Sequence, residues 1–456
     1  MAKKDALKER RTTRWPVWGG LAALVAGFSW VFFVGGRFIF GVMRQPLLPP
    51  LAPPLEESPH EKVEARAYRT ALANLRLGIE ERLLQNGVSK RVLCAGVRNF
   101  REPWARDFGF ANYGLLDESD LQTSRETLEA FLIHQKPNGQ FPVKITSTTV
   151  FQRYVHSLFR RQQPIGEPIR PKYITGHRTI SLDGNALLIS AATNYVKHSG
   201  DLDFARRYWP ALAQGTRWLA EHTGDDHLLH QAPFADWADS IARQGRILYT
   251  NVCYWKALHD MVRLANALNL SLDAAHFQHL ADQVKTAIDD HFWREDLGYY
   301  VTSIVFDNLS SSGNLLAVAW GLVGQERGNL ILDKLAEFDM ADPVPTQVVH
   351  RAYPPRFVAL ENRLGGIGHY HTEAAWLWLG CWHAIALTRL GRLTEADDIL
   401  FRIAAVIVRD GAVHEVYDRD GHPLASRWYT SEAPLTWSAG MYVHAWHVLA
   451  SAREQT

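Results

Sequence analysis

The chain has 456 residues, 47% of them apolar, with 49 Lys and Arg set against 48 Asp and Glu and a formal net charge of +1. That balance lacks the basic face that nucleic acid requires, so no nucleic-acid partner is expected, while the apolar fraction supplies a large core. Three cysteines, Cys94, Cys253 and Cys381, have no metal-site spacing and cannot all pair within one chain, so no disulfide framework is expected.

Residues 1–14 carry Lys3, Lys4, Lys8, Arg10, Arg11 and Arg14, and an uncharged run of 22 residues follows from Trp15 to Gly36. At about 1.5 Å per residue, a helix of that length crosses the hydrocarbon core of a bilayer. Trp15, Trp18 and Trp30 suit its interfaces. The pattern predicts a basic cytoplasmic tail over 1–14 and an N-terminal transmembrane helix over 15–43. By the positive-inside rule the remainder is then extracytoplasmic. Residues 44–59 are rich in proline and read as an extended linker, a stalk holding the folded domain, 60–456, off the membrane.

From about residue 60 the apolar period is helical almost throughout. It predicts helices over 61–86, 120–135, 183–199, 203–222, 251–268, 272–291, 312–322, 327–338, 372–391, 393–409 and 436–452. Asp203 and Thr394 are expected as helix starts, and Gly200, Asn269 and Gly391 as stops. The joints are short, so successive helices should be antiparallel. Ile247–Thr250 and Gly411–Tyr417 look strand-like, but without a regular βα alternation, which disfavours a parallel doubly wound sheet. An open solenoid would show a fixed internal repeat, and none is present. The remaining architecture is all-α: a closed ring of six hairpins, an (α/α)6 toroid, whose loops gather around a central pocket at one end.

Two acidic segments fall in those loops. One is Phe234-Ala-Asp236-Trp237-Ala-Asp239-Ser240; the other is His414-Glu415-Val-Tyr417-Asp418, followed by Gly421 and by Trp437-Ser-Ala-Gly440. Each sets carboxylates beside large aromatics. Glycoside hydrolysis uses that combination: an acid to protonate the leaving oxygen, a carboxylate to activate water, and flat apolar walls for a sugar ring. Sixteen Trp and fifteen Tyr fit such walls, or equally a large aromatic core. No cluster of ligand spacing and no glycine-rich phosphate loop occurs, so no metal or other cofactor is expected.

With these residues in place the chain resembles the six-hairpin glycosidases, a superfamily that includes glucoamylases, trehalases, neutral invertases, glycogen-debranching enzymes and processing α-glucosidases. The resemblance covers roughly residues 90–450 and is closest to the debranching-type and processing α-glucosidases. Trp104-Ala-Arg106-Asp107-Phe108 resembles an Arg-Asp motif whose carboxylate grips sugar hydroxyls. Gly139-Gln140-Phe141-Pro142 resembles a pocket-lining loop, and Ser181-Leu-Asp183-Gly-Asn185 a second hydroxyl-binding segment, although Asp183 is also a good helix cap. The resemblance implies Asp239 as general acid, with Asp236 as competitor, and Glu415 as general base. It further implies inversion at the anomeric carbon, with the two carboxyl groups about 6.5–9.5 Å apart. Arg106, Asp107, Gln140, Asp183 and Asp236 would bind the substrate, and Trp104, Trp237, Tyr417 and Trp437 would wall it. His371-Thr-Glu373-Ala-Ala-Trp376 resembles the start of a late inner helix, with His371 equally a core residue. One departure stands out: where the family often has a Glu before the helix after the acid, this chain has Tyr249-Thr250-Asn251. The expected substrate is an α-glucan, an oligosaccharide or a glucosylated small molecule. Sucrose cleavage and non-catalytic glycan binding are the alternatives.

Overall fold

The computed structural model describes residues 35–48 and 62–455. Its helices, in chain order, are α1 (Val63–Leu77), α2 (Ala105–Asp117), α3 (Leu121–Leu132), α4 (Val150–Leu158), α5 (Leu182–Ser199), α6 (Leu202–Ala220), α7 (Leu248–Ala267), α8 (Ser271–Phe292), α9 (Ser311–Ala319), α10 (Gln325–Glu337), α11 (Leu360–Leu364), α12 (Leu377–Arg389), α13 (Leu393–Asp410) and α14 (Thr436–Glu454). Six of them, α2, α5, α7, α9, α12 and α14, pack each on the next, and α14 packs back on α2, so the inner ring closes. Five outer helices return antiparallel on their partners: α3, α6, α8, α10 and α13. The sixth hairpin joins the two ends of the ring, because α1 packs against α14. This is the expected (α/α)6 toroid.

Burial explains which helices the sequence displays. The outer helices are amphipathic and show the helical period clearly; α13, for instance, buries Ala396, Ile399, Leu400, Ile403 and Ile407 on one stripe. The inner helices are covered on both sides. In α2 nearly every residue from Ala105 to Leu116 is buried, so no polar face marks it, and the sequence did not reveal it as a helix. The ring axis below the loops is filled by aromatics. Phe110 stacks on Trp437 with centroids 5.2 Å apart, and Trp378 lies 4.5 Å from Trp437. Part of the tryptophan content is therefore core.

Several local expectations are corrected. The first helix ends at Leu77, not near 86, because Gly78 sits where a Cβ would meet Thr436 Cγ2 at 2.2 Å. There the chain turns into the hairpin β1 (Ile79–Leu83) and β2 (Ser89–Leu93). The side chain capping α6 is Asp201, which accepts from Phe204 N at 2.9 Å; Asp203 lies in the first turn. Arg392 precedes α13, and Thr394 lies inside it. Only Ile247 of the strand-like piece 247–250 is extended, and α7 starts at Leu248. Gly411–Tyr417 forms no strand beyond isolated bridges at Tyr417. α4 has a capping box, Thr149 with Gln152, that the sequence carries as Thr-x-x-Gln. It lies in an insertion clasped by the short pair β3 (Lys144–Thr146) and β4 (Arg170–Lys172).

Most of the expected membrane helix, 15–43, and most of the expected linker, 44–59, lie outside the described residues. Residues 35–44 are helical, and among the described residues no helix is long and apolar enough to cross a membrane. The described part of the linker does not stand free. Leu48 N–H donates to Arg160 O at 2.9 Å, and Gln162 N–H donates to Pro46 O at 2.8 Å, so this stretch lies along the insertion that carries α4.

Candidate active site

The inner helices all begin at one end of the ring, and the loops leading into them enclose a cavity of about 210 Å³. Trp104, Arg106, Asp107, Trp237, Asp239, Glu415 and Trp437 line it, all named by the sequence. They come from three loop-to-helix junctions distant in sequence, those leading into α2, α7 and α14, which the ring gathers around one opening.

The start of α2 brings Trp104, Arg106 and Asp107 to the floor. Arg106 Nε donates to Asp183 Oδ2 at 2.6 Å and Nη2 donates to Oδ1 at 3.1 Å, a two-point clamp between the first turns of α2 and α5. Asp183 also accepts from Ser181 Oγ at 2.5 Å and from Gly184 N at 2.9 Å. Fully buried and saturated, it lies behind Arg106 and outside the lining; the helix is capped by Ser181. Its place is that of a positioning residue, not of a hydroxyl ligand. Gln140 is likewise turned away. Its Nε2 donates to Tyr173 O at 2.7 Å, and its loop is bolted to α5 by Phe141 N–H donating to Asn185 Oδ1 at 3.0 Å. Gly139 in that loop has φ of +101°, and a Cβ there would meet Gln214 O at 2.4 Å, so only glycine fits.

The two candidate acids have different surroundings. Asp236 is buried, accepting from Arg243 Nε at 2.8 Å and Nη2 at 2.9 Å, from Gln231 Nε2 at 2.8 Å and from Ala238 N at 2.9 Å. It does not reach the cavity and serves to fix the loop. Asp239, three residues on, lines the cavity with its side chain 48% exposed, and His371 Nδ1 lies 3.9 Å from its Oδ1. Enclosure in the ring raises its pKa, opposed by Arg106, His177 and Arg153. Trp237 between the two is held by donating to Ser312 Oγ at 3.0 Å, and meets Trp376 and His371 edge-on at 5.5 and 5.1 Å.

Glu415 sits across the cavity, 4% exposed. The hydroxyl of Tyr370 donates to its Oε1, that of Tyr429 to its Oε2, and Glu432 N–H donates to Oε2 at 3.2 Å. Burial raises its pKa, and these donors, which favour the ionised form, pull it back. Tyr417, two residues on, points the other way: it is fully buried, outside the lining, and donates to Asp410 Oδ2 at 3.0 Å. It is therefore no wall of the pocket. Burial pushes Asp107 up to about 7, and it pushes Glu432, a carboxylate behind Glu415 that accepts from Arg98 N at 2.8 Å, up to about 7 as well.

Sequence reasoning missed Tyr370 and Tyr429, the donors to Glu415, and left His371 open as a core residue. His371 lines the cavity, pairs with Ser240 Oγ at 2.9 Å, and is driven well below the ordinary histidine pKa by burial, so it is neutral. Its Nε2 has no hydrogen-bond partner among the described residues; nor do Trp104 Nε1, Trp437 Nε1 and Asn99 Oδ1, all buried atoms of lining residues. Residues that line the cavity thus carry two indole donors, an imidazole nitrogen and an amide oxygen without protein partners, groups of the kind that hydrogen-bond a ligand with many hydroxyls. The clusters His369-Tyr370-His371 and Trp428-Tyr429, aromatic runs in loops, were the available signal.

Known proteins agree with this architecture. A family model described as the bacterial alpha-L-rhamnosidase 6 hairpin glycosidase domain matches residues 143–341. A rhamnosidase from Klebsiella oxytoca with rhamnose bound superposes with a TM-score of 0.61 at 15% identity, over 86% of this chain and 65% of that one. A mannosylglycerate hydrolase from Thermus thermophilus in complex with glucose gives a TM-score of 0.61 at 15% identity, over 84% of this chain and 99% of that one. An N,N'-diacetylchitobiose phosphorylase from Vibrio furnissii is 24% identical over 190 residues, 36% of this chain. The matched stretch is about a quarter of the length of the curated relatives. The chain thus shares the six-hairpin toroid fold of these solved structures.

Proposed function

We propose that the protein is an inverting glycoside hydrolase that releases a sugar from α-glycosides, α-glucosides in particular. The observation that carries this reading is the pair Asp239 and Glu415, on separate loops that line one cavity together with Trp104, Trp237 and Trp437. Asp239 has the features of the acid: enclosure favours its protonated form, and no hydrogen-bond donor among the described residues holds it as a carboxylate. Glu415 has those of the base, because three donors favour its ionised form. Asp239 protonates the glycosidic oxygen as that bond breaks. Glu415 removes a proton from the water that attacks the anomeric carbon from the opposite face, and the product has the inverted configuration. Arg106 and Asp107 at the floor bind hydroxyls, with Asp183 holding Arg106 in place. A phosphorylase reading draws on the likeness to the chitobiose phosphorylase; it uses phosphate where a hydrolase uses water, and Glu415 would then repel the attacking anion.

The test is a panel of α-glucosides, α-rhamnosides, sucrose, trehalose and short glucans, with the released anomer followed by NMR, for the native protein beside Asp239→Asn and Glu415→Gln. Release of the inverted sugar, lost in both variants, is the expected result. Sugar phosphate formed only when phosphate is present would replace hydrolysis with phosphorolysis. Binding of a sugar without turnover would leave a glycan-binding protein.

A further inference from the structure

The class of substrate is written in the rim of the pocket, away from its carboxylates. α4 supplies Arg153 and Ser157 to the lining, and it is also the element on which residues 35–48 rest. Phe38 stacks on Phe151 with centroids 5.9 Å apart, and Arg161 Nη1 donates to Gln45 O at 3.0 Å. The backbone pairing of Pro46 and Leu48 with residues 160–162 extends the contact. The described part of the chain therefore starts beside the pocket mouth. Immediately before it in sequence stands the uncharged run Trp15–Gly36, of membrane-crossing length. A chain tethered at this point holds the mouth of the ring against the bilayer instead of away from it.

The rim has the composition that such a position requires. At α4, Phe151 is 68% exposed, and Arg160 is exposed just past the helix. At α11, Leu364 is 73% exposed beside exposed Arg363, directly after the lining residues Glu361 and Asn362. Trp428 lines the mouth, half-exposed, beside exposed Arg427. Three segments that contribute to the lining thus each carry an exposed bulky apolar group and an exposed arginine. Apolar tips that enter the acyl boundary, an indole at the headgroup level and arginines on lipid phosphates are the means by which proteins sit on anionic membranes.

We infer that the pocket end of the ring docks on an anionic bilayer and that the substrate is a glycolipid, whose sugar enters the pocket while its aglycone stays in the membrane. This rests on the hydrolase reading above. Water forms the new bond to the anomeric carbon, the glycosidic carbon–oxygen bond breaks, and the leaving oxygen takes the proton of Asp239, so free sugar and a lipid alcohol result.

The experiment uses the full chain in vesicles of equal parts phosphatidylcholine and phosphatidylglycerol. The native cysteines are buried, so an environment-sensitive fluorophore can be placed at Leu364→Cys on the rim or at Leu272→Cys, 86% exposed beside the turn at the far end of the ring. The rim label should shift to the blue and be quenched by spin-labelled lipid, and the far label should do neither. A rim label that stays water-like overturns the docking. In parallel, the double variant Arg363→Glu/Leu364→Ser is compared with the native protein on two substrates sharing the sugar identified by the solution panel. One has a p-nitrophenyl aglycone in solution, the other a diacylglycerol aglycone in the vesicle. The variant should lose about tenfold on the lipid substrate and keep its rate on the soluble one. Equal loss on both, or a native protein that cleaves only the soluble glycoside, overturns the glycolipid assignment and leaves the hydrolase standing. A quenched rim label with no turnover of any glycoside keeps the docking and sinks the hydrolase.

Discussion

Three donors converge on Glu415, and none among the described residues converges on Asp239; the division of labour proposed for the two carboxyl groups rests on that difference. Replacing Asp239 with Asn should cut turnover of glycosides with poor leaving groups by about 10²–10⁴-fold. A glycosyl fluoride, whose leaving group needs no proton, should still react in that variant, and fluoride release measures it. Tyr370→Phe takes one donor from Glu415 and so raises the pKa of the base. The acidic limb of the pH–rate profile should then move to higher pH, with the alkaline limb unmoved. Asp107 offers a test on stability. Its carboxyl is lifted by burial from an ordinary 3.8 to about 7 in the folded protein. The folded state thus holds a proton that the unfolded state has released, and stability present below pH 3.8 is lost as pH rises through about 7. Asp107→Asn imitates the protonated form. It should melt a few degrees above the native protein at pH 8 and level with it at pH 4, while weakening sugar binding; thermal scans at the two pH values decide.

The residue scale also shows where the sequence stops speaking. Short acid-and-aromatic motifs led to Trp104, Arg106, Asp107, Trp237, Asp239, Glu415 and Trp437, all of which face the cavity. The same motifs also led to Gln140, Asp183, Asp236 and Tyr417, which face away from it. A motif fixes residue type and neighbourhood in the chain, but not which side of a loop a side chain leaves. That side is decided by partners such as Arg243 and Asp410, which the motif does not contain. The tyrosines on Glu415 come from 45 residues before it and 14 after it, a separation that no local pattern reports.

At the scale of elements, the amphipathic outer helices were legible because one face meets water. α2, buried all round, was not. Its seam with α14 explains why small residues recur there. A Cβ on Gly114 would lie 2.4 Å from Gly440 O, and one on Gly440 would lie 2.6 Å from Ala111 O. Both neighbours are backbone and cannot swing aside. Gly440→Ala should therefore cost about 1–3 kcal/mol, by forcing apart the helices that close the ring. Urea denaturation would show it as a lower midpoint at unchanged slope. The same substitution at Gly87, where nothing lies within 4 Å but φ is +80°, should cost less, through backbone strain alone.

For the whole molecule, closure by α1 and α14 brings residue 62 and residue 455 to the same hairpin. The order of hairpins around the circle then matters more than the place where the chain is cut. A permutant that joins 455 to 62 by a flexible linker and opens at Gly200, in the turn between α5 and α6, should fold and keep its activity on soluble substrates. Circular dichroism and turnover would report both. An unfolded permutant would mean that the α5–α6 hairpin must form as a continuous unit before the ring can assemble.

The same closure sets a clock on biosynthesis. Made at about 5–20 residues per second, the stretch from the start of α2 to the end of α14 takes roughly 20 to 70 seconds to emerge. Until then α1, α2 and α12 have no partner along the α14 seam, and apolar surfaces meant for the interior stay open to solvent. Of the ring's helices, the last to leave the ribosome is the one that turns an arc into a ring. This places the period of greatest exposure to aggregation and proteolysis in the nascent chain, before the ring has closed.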